Sequence, residues 1–323
     1  MRDAPLVSAV IPACRRPAAA ARAVRSALAQ SWSSLEVIVV PACPDTDLGG
    51  ELASIADPRL RILEPRRLGA SEARNRGVRA AAGRWVAFLD DDDEWSPRKI
   101  ELQAAAAEAS PQARPVVSCR LRARWSQGEL VWPRRVPAPG EAIGDYLFRR
   151  QSLFGGGGLV QTSTLFAPRE LLLELPFRED LRIAEDLDWV LRAERAGSRV
   201  EFAGTEPLAL WDIEDDRPRL SSAPGAWREA LAWIRDEREL VSPEAYASYL
   251  LTWVSAEAAR EGGGWKSWRE LWREARRGGR PSLLDAAVHA GHFLAPPKLL
   301  RRLATWATGR GRQTARSASL EKP

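Results

Sequence analysis

At 323 residues, with 45% hydrophobic and 28% charged side chains, the chain has the composition of a soluble globular protein, with room for one large domain and an appendage. No apolar run approaches the roughly 20 residues that span a bilayer. The apolar run Leu6–Ile11 near the start lacks the basic lead and long core of a secretion signal, so a cytoplasmic location is expected. The net charge of +5 gathers at the C-terminus: Lys298, Arg301, Arg302, Arg310, Arg312 and Arg316 fall in a window without acids between Asp285 and Glu321. With no nucleic-acid module in evidence, the basic tail alone does not point to RNA or DNA. Cys14, Cys43 and Cys119 are odd in number and far apart, which suits neither a disulfide framework nor a metal knuckle; reduced, mostly buried thiols are expected.

In chain order, short β-branched runs alternate with Ala/Arg-rich helical stretches. Val7–Ile11 precedes a helix over 17–30; Glu36–Val40 follows; Leu60–Leu63 precedes a helix over 71–82; Trp85–Leu89 precedes a helix over 97–108. That alternation predicts a parallel sheet covered by helices. Ligands of such sheets sit at the carboxyl ends of the strands, so the residues after Ile11, Val40 and Leu89 are the first candidates for chemistry. Beyond Pro111 the pattern becomes a strand near Val116–Leu121, a hairpin through Gln127-Gly128, the loop Gly155–Gly158, a strand around Ser163–Ala167 and a helix from Glu185 to Ala196. From Pro224 onward only helical periods remain, rich in Ala, Arg and Trp.

Three motifs carry chemistry. Phe88-Leu89-Asp90-Asp91-Asp92-Asp93-Glu94-Trp95-Ser96-Pro97 is an apolar strand ending in consecutive carboxylates. Such crowding of like charge is unfavourable unless a cation offsets it, and Mg²⁺ or Mn²⁺ is typically held by one or two carboxylates while bridging substrate phosphates. A solvated acidic turn capping a helix is the plainer alternative. Gly69-Ala70-Ser71-Glu72-Ala73-Arg74-Asn75-Arg76-Gly77, after Arg66-Arg67, opens a helix where a diphosphate would be welcome. Ala184-Glu185-Asp186-Leu187-Asp188-Trp189 starts a helix with three acids, a pattern that also merely complements the helix dipole.

The order of Val7-Ser8-Ala9-Val10-Ile11-Pro12, the 68–77 segment, the 88–97 segment, Gln161-Thr162-Ser163-Thr164-Leu165 and Glu185–Trp189 resembles family 2 glycosyltransferases over roughly residues 6–220. The resemblance implies a GT-A fold: an α/β nucleotide-sugar-binding, Rossmann-like mixed sheet flanked by helices, here with a C-terminal helical appendage. It implies an inverting enzyme that moves a sugar from a nucleotide-diphospho-sugar to an acceptor hydroxyl with Mg²⁺ or Mn²⁺, in surface polysaccharide or glycolipid assembly. Residues 1–222 are then the transferase domain, with 1–110 the nucleotide-sugar half and 111–222 the acceptor half, and 223–323 a helical region with a basic tail.

Carried over residue by residue, Asp90 and Asp92 resemble the family's DxD pair, Asp92 as the direct metal ligand and Asp90 nearer the donor, with Asp93 in reserve. Asp186 matches the general base. It takes the proton of the acceptor hydroxyl, which attacks opposite the departing diphosphate. Donor contacts fall to Pro12, Asp45, Arg67, Arg74, Asn75, Asp90 and Asp91. Two departures stand out. Ala42 occupies the place of the base-binding carboxylate, so Asp45 or Asp47 is left to replace it. Asp212 stands where relatives carry a histidine near the donor phosphates; a metal ligand and a structural acid are both open readings.

His289 and His292, three apart, are expected to be structural. The glycines 155–158 lack a dinucleotide fingerprint and suggest a loop near the acceptor side. Over 297–307, leucines and Trp306 share one helical face beside Lys298, Arg301 and Arg302. Two readings are open: an interfacial helix drawn to the inner face of the plasma membrane, where it would suit a lipid-linked acceptor, or a terminal helix docked on its own domain. The partners expected are therefore a nucleotide-sugar donor and a saccharide or lipid-linked acceptor, without nucleic acid. The rival functions are a nucleotidyltransferase making nucleotide-sugars, which would need a glycine-rich loop after the first strand, and a catalytically silent nucleotide-sugar-binding module.

Overall fold

The computed structural model describes residues 4–44, 48–125, 128–153, 157–213 and 223–294. The chain divides into two compact units, Met1–Ile143 with Gly158–Pro218, and Gly144–Gly157 with Arg219–Pro323.

The first unit is built on a mixed nine-stranded sheet. Its parallel side comprises β1 (Val7–Ala13), β2 (Leu35–Pro41), β3 (Leu60–Ile62) and β4 (Trp85–Phe88), in the order β3-β2-β1-β4. β1, β2 and β4 are apolar on both faces because helices cover both, and Val10, Ile38 and Phe88 are fully buried. Between them run α1 (Pro17–Leu28), α2 (Leu48–Leu52) and α3 (Ala70–Ala80). Pro17 pre-sets the first turn of α1, which turns Ala20, Ala23, Val24 and Ala27 inward. α3 lies so close on the sheet that a Cβ at Gly77 would fall 2.2 Å from Val10 Cγ1.

β5 (Glu94–Trp95) and α4 (Lys99–Ala109) follow the acidic run, and then β6 (Val116–Trp125) and β7 (Gly128–Trp132) pair antiparallel as the expected hairpin. Gln127 itself lies outside the described residues. β8 (Phe166–Pro168) is antiparallel to both β4 and β6, and α6 and α7 occupy Arg169–Glu174 and Glu185–Arg195. α5, between β7 and β8 in the chain, spans Ile143–Phe148. β9 (Val200–Asp212) runs parallel to β6 and also pairs with β5. Strand order reverses between β1 and β4, and their register (Val7↔Trp85, Val10↔Phe88) sends both chains off the same end of the sheet together. This switch point is where an open α/β sheet forms its crevice.

Two expectations are corrected. The strand expected over 163–167 is a 3₁₀ turn, Thr162–Thr164, followed by the short β8. Gln161 and Thr164 form a reciprocal capping box across that turn, and such side-chain bonds compete with strand pairing. Cys14 and Cys43 are joined in a disulfide, their Cα atoms 5.0 Å apart, while Cys119 is free and buried. Parallel pairing that ends at Ala13↔Pro41 carries both cysteines off adjacent strand ends, a proximity that a separation of 29 residues conceals.

The second unit contains most of α5, then α8 (Ala226–Asp236), α9 (Pro243–Tyr249), a π-helical turn at Leu250–Val254, α10 (Ser255–Arg260), α11 (Trp265–Gly278) and α12 (Leu283–Leu294). Ser242 caps α9 through the Ala245 N–H. Trp227, Trp233, Tyr246 and Tyr249 are buried among these helices, so most of the tryptophan excess before α11 is core. His289 is fully buried, bonded through Nδ1 to the Ser255 hydroxyl at 2.7 Å and through Nε2 to the Trp268 carbonyl at 3.1 Å. Burial pushes its pKa down to about 4, as befits a structural histidine. Among the described residues no helix is long and apolar enough to cross a membrane. The segment 297–307 lies outside the described residues.

Candidate active site

The candidate site forms at the switch point, where three segments converge on the run after β4. The first is the turn after β1. Arg15 there has φ 60°, a left-handed conformation that costs a non-glycine residue on the order of 1 kcal/mol. Next to it, the Arg16 guanidinium forms ion pairs with both Asp91 and Asp92. The Cys14 N–H donates to Asp91 Oδ2 at 2.8 Å. Asp91 is thus turned into the protein, and burial pushes its pKa up to about 6 despite Arg16.

The second segment is α3. Arg74, only 4% exposed, donates from Nη2 to Asp90 Oδ1 at 2.9 Å and from Nη1 to Glu185 Oε1 at 2.8 Å. One guanidinium therefore ties the first acidic cluster to the second. Desolvation works against its charge, but Asp90 and Glu185 outweigh it, and its pKa rises. Asn75 has another task. Its amide donates to the Phe177 carbonyl and to Glu179, and accepts from the Phe177 N–H, stapling α3 to the segment before α7.

The third segment is the turn Gln161–Thr164. The Asp90 N–H donates to Ser163 Oγ at 3.0 Å, and that hydroxyl donates to Asp93 Oδ2 at 2.6 Å. Gln161 Nε2 reaches Asp93 Oδ2 at 2.9 Å and Asp90 Oδ2 at 3.4 Å. Beneath the turn, Gln103 donates to the Thr164 carbonyl at 2.8 Å and accepts from the buried Lys99 ammonium at 2.5 Å. Asp93 is 2% exposed; burial and then Asp90 hold its carboxyl well above the ordinary range, and its Oδ1 has no hydrogen-bond partner. Asp90 and Asp92 remain partly exposed.

α7 brings the second cluster. Ala184 at its N-cap also has φ 60°, so the two non-glycine residues described in this conformation both flank the acidic groups. Glu185 faces Arg74, and Asp188 is fully buried against Arg192 at 2.7 Å. Among the described residues Asp186 accepts from the N–H of Leu187 at 2.8 Å and from the Thr162 hydroxyl at 3.5 Å. Desolvation, reinforced by Glu185 and opposed by Arg74, pushes its pKa up to about 7.

The structure thus brings together Arg74, Asp90, Asp91, Asp92, Asp93 and, through Glu185, Asp186. Pro12 lies at the end of β1 opposite Val40. Arg67 is exposed in the segment before α3; there the Arg66 and Leu68 N–H groups bond the carbonyls of Pro41 and Ala42, so Arg67 borders the loop after β2. Asp45 and Asp47 lie outside the described residues. Asp212, on the strand that pairs antiparallel with Glu94–Trp95, faces Arg124 at 3.4 Å; among the described residues no group of three or more His, Cys, Asp or Glu is placed to hold a metal. Arg16, Ser163 and Thr162 are site residues that motif reading did not assign. The Gln161–Leu165 segment was a signal for two of them. Arg16 had none beyond being basic.

The fold and site define an α/β protein with a mixed sheet and an acidic centre at its switch point. Residues 8–172 match the profile of Glycosyl transferase family 2, and the chain belongs to that family. A succinoglycan biosynthesis protein, ExoO, of Rhizobium meliloti is 35% identical over 214 residues, which cover 64% of this chain but only 59% of that relative. Among solved structures, the chain is similar to the mannosyltransferase PcManGT of Pyrobaculum calidifontis in complex with GDP-Man and Mn²⁺ (TM-score 0.55, 20% identity, 94% of this chain and 84% of that one). It is also similar to S. aureus TarS 1–349 in complex with UDP-GlcNAc (TM-score 0.53, 16% identity, 89% and 90%). At these identities the likeness concerns the fold, which is of the GT-A type.

Proposed function

We propose that the chain is an inverting glycosyltransferase that moves a sugar from a nucleotide-diphospho-sugar to the hydroxyl of a saccharide or lipid-linked acceptor, in the assembly of a surface polysaccharide or glycolipid. The observation that carries this is the Arg74 bridge between Asp90 and Glu185, because it ties the acidic turn to the helix start where Asp186, the carboxyl suited to proton abstraction, follows Glu185. Family membership, the succinoglycan relative and the sugar-nucleotide complexes of the structural neighbours support the reading.

The residues fit a divalent cation. Asp90 and Asp92 offer hard oxygen donors at a partly exposed edge, the unpartnered Asp93 Oδ1 lies behind them, and Arg16 neutralises the cluster. With so few protein ligands, Mg²⁺ or Mn²⁺ suits the site, since these ions keep positions for substrate phosphates. Asp92 and Asp90 would hold the ion, which when bound supplies Lewis-acid stabilisation of the departing diphosphate. Asp186 takes the proton from the acceptor hydroxyl, with Thr162 and the Leu187 N–H fixing its orientation. A pKa of about 7 makes it a base matched to neutral pH. Arg74 keeps the base and the donor side in register. Arg67 stands ready for the diphosphate, while the Arg16 ion pairs with Asp91 and Asp92 are the contacts a cation would displace. Domain roles follow the same division: 1–110 for the donor, 111–222 for the acceptor.

The test is a thermal-shift screen of nucleotide-sugars with and without Mn²⁺, since a ligand that binds the native state raises the melting temperature. We expect stabilisation only with metal, and its loss in Asp92→Ala. Undiminished metal-dependent binding by that variant would remove Asp92 from the metal site.

A further inference from the structure

Outside this site the least satisfied surface is that of α11. Its inward stripe is Ser267, Leu271, Ala275 and Gly278. The rest of the helix exposes Lys266, Arg269, Arg273, Arg276 and Arg277, and the first four have no acidic partner among the described residues. Of its two acids, Glu274 is already engaged by Arg235 at 2.6 Å and by the Tyr246 hydroxyl at 2.8 Å.

Among these cations lies Trp265, 65% exposed. One face of its ring stacks on Trp268 at 4.4 Å; Trp268 continues the stack to Trp272 at 6.2 Å and His289 at 5.2 Å. Arg235, Lys266, Arg269, Arg273, Arg277 and Trp265 line a shallow groove of about 420 Å³ together with the two glutamates.

In water both features are unfavourable: cations crowd in excess of the two glutamates beside them, and a large indole stays wet. Both are relieved by a surface that presents fixed negative charge above an apolar layer. Tryptophan prefers that boundary, and each cation near an anionic leaflet adds attraction. Beyond Leu294 the chain continues with six Lys or Arg residues before its next acid, Glu321. A nucleic acid would need open ring faces for its bases, whereas Trp268 and Trp272 are already stacked within the protein.

We propose that the exposed face of α11 is a docking surface for a bilayer rich in anionic phospholipid, with Trp265 entering the interface and Arg269, Arg273 and Arg276 meeting headgroup phosphates. This does not depend on the transferase reading.

Co-sedimentation of the full chain with vesicles of phosphatidylcholine alone, or with about 30% phosphatidylglycerol, tests it. Binding is expected only to the second, weakening as salt rises. Joint Arg269→Glu, Arg273→Glu and Arg276→Glu is expected to weaken it by at least about tenfold, and Trp265→Ala by about threefold at high salt, with melting temperatures unchanged. Should the triple variant fold poorly, Arg269→Gln with Arg273→Gln replaces it, with the same direction expected. The proposal is overturned by equal binding to both vesicle types. It is equally overturned if α11 substitutions have no effect while Arg301→Glu with Arg302→Glu abolishes binding, or if single-stranded RNA is bound and vesicles are not.

Discussion

The two acidic clusters of the first unit look alike in sequence and are treated differently by the fold. In the run after β4, Asp91 and Asp92 face Arg16 and Asp90 faces Arg74. Asp93, behind them, is held by Ser163 and Gln161. In the cluster opening α7, Glu185 and Asp188 also receive arginines, but among the described residues Asp186 accepts from an N–H and a distant hydroxyl. In the first cluster Asp90 and Asp92 sit at an open edge against arginines, while burial raises the carboxyls of Asp91 and Asp93. The second isolates one desolvated carboxyl whose pKa is about 7. Chemistry at the two ends of a reaction asks for that difference: cation binding needs ionised oxygens, while a base works best near the ambient pH.

The largest expected effect tests the isolated carboxyl. Asp186→Asn should lower turnover by about 10³-fold or more while leaving donor affinity within about twofold, read from sugar transfer and from calorimetric titration of the donor. Normal turnover would assign the base elsewhere. Next is the bridge. Arg74→Met leaves Asp90 and Glu185 facing each other without their buried cation and should cost about 3–5 kcal/mol of stability, measured by urea unfolding. A cost below about 1 kcal/mol would mean that the clusters are held in register by something else.

The pH dependence sharpens the contrast further. With a pKa near 7 for Asp186, kcat/KM should rise with pH, about tenfold per unit below that value, and level off above it. Stability moves the other way. The folded carboxyl keeps its proton where the unfolded one has lost it, so this group lowers stability as pH climbs from the ordinary carboxylate range toward 7, and the fall ends there. An activity profile flat from pH 5 to about 8 would separate Asp186 from the rate. The smallest effect concerns the turn under the first cluster: Ser163→Ala removes the bonds to Asp93 and the Asp90 N–H and should cost about 1–2 kcal/mol, with a raised KM for the donor and little change in kcat.

Much of this was legible in the chain. The alternation of apolar strands with Ala/Arg helices located β1, β2, β4, α1 and α3, because a strand buried on both faces must be apolar throughout; the short α2 was not foreseen. The acidic run stood out because no ordinary strand ends in five carboxylates. Less visible was the turn at 162–164, whose β-favouring residues are overridden by the Gln161–Thr164 capping box. The disulfide was misread because spacing in sequence says nothing about which strand ends adjoin. What the motif did not show is that the Asn75 amide bonds Phe177 and Glu179.

By itself, then, the sequence determined the sheet's parallel half, the family, and which acids were worth attention, since those depend on local periodicity and residue type. Only the tertiary structure decided what each acid is. Register between β1 and β4 brings Arg16 over Asp91 and Asp92, and packing of α3 between two loops gives Arg74 to both Asp90 and Glu185. Asp186 owes its raised pKa to burial and to Glu185 beside it, against the pull of Arg74, and Arg74 reaches Glu185 across 111 positions of the chain.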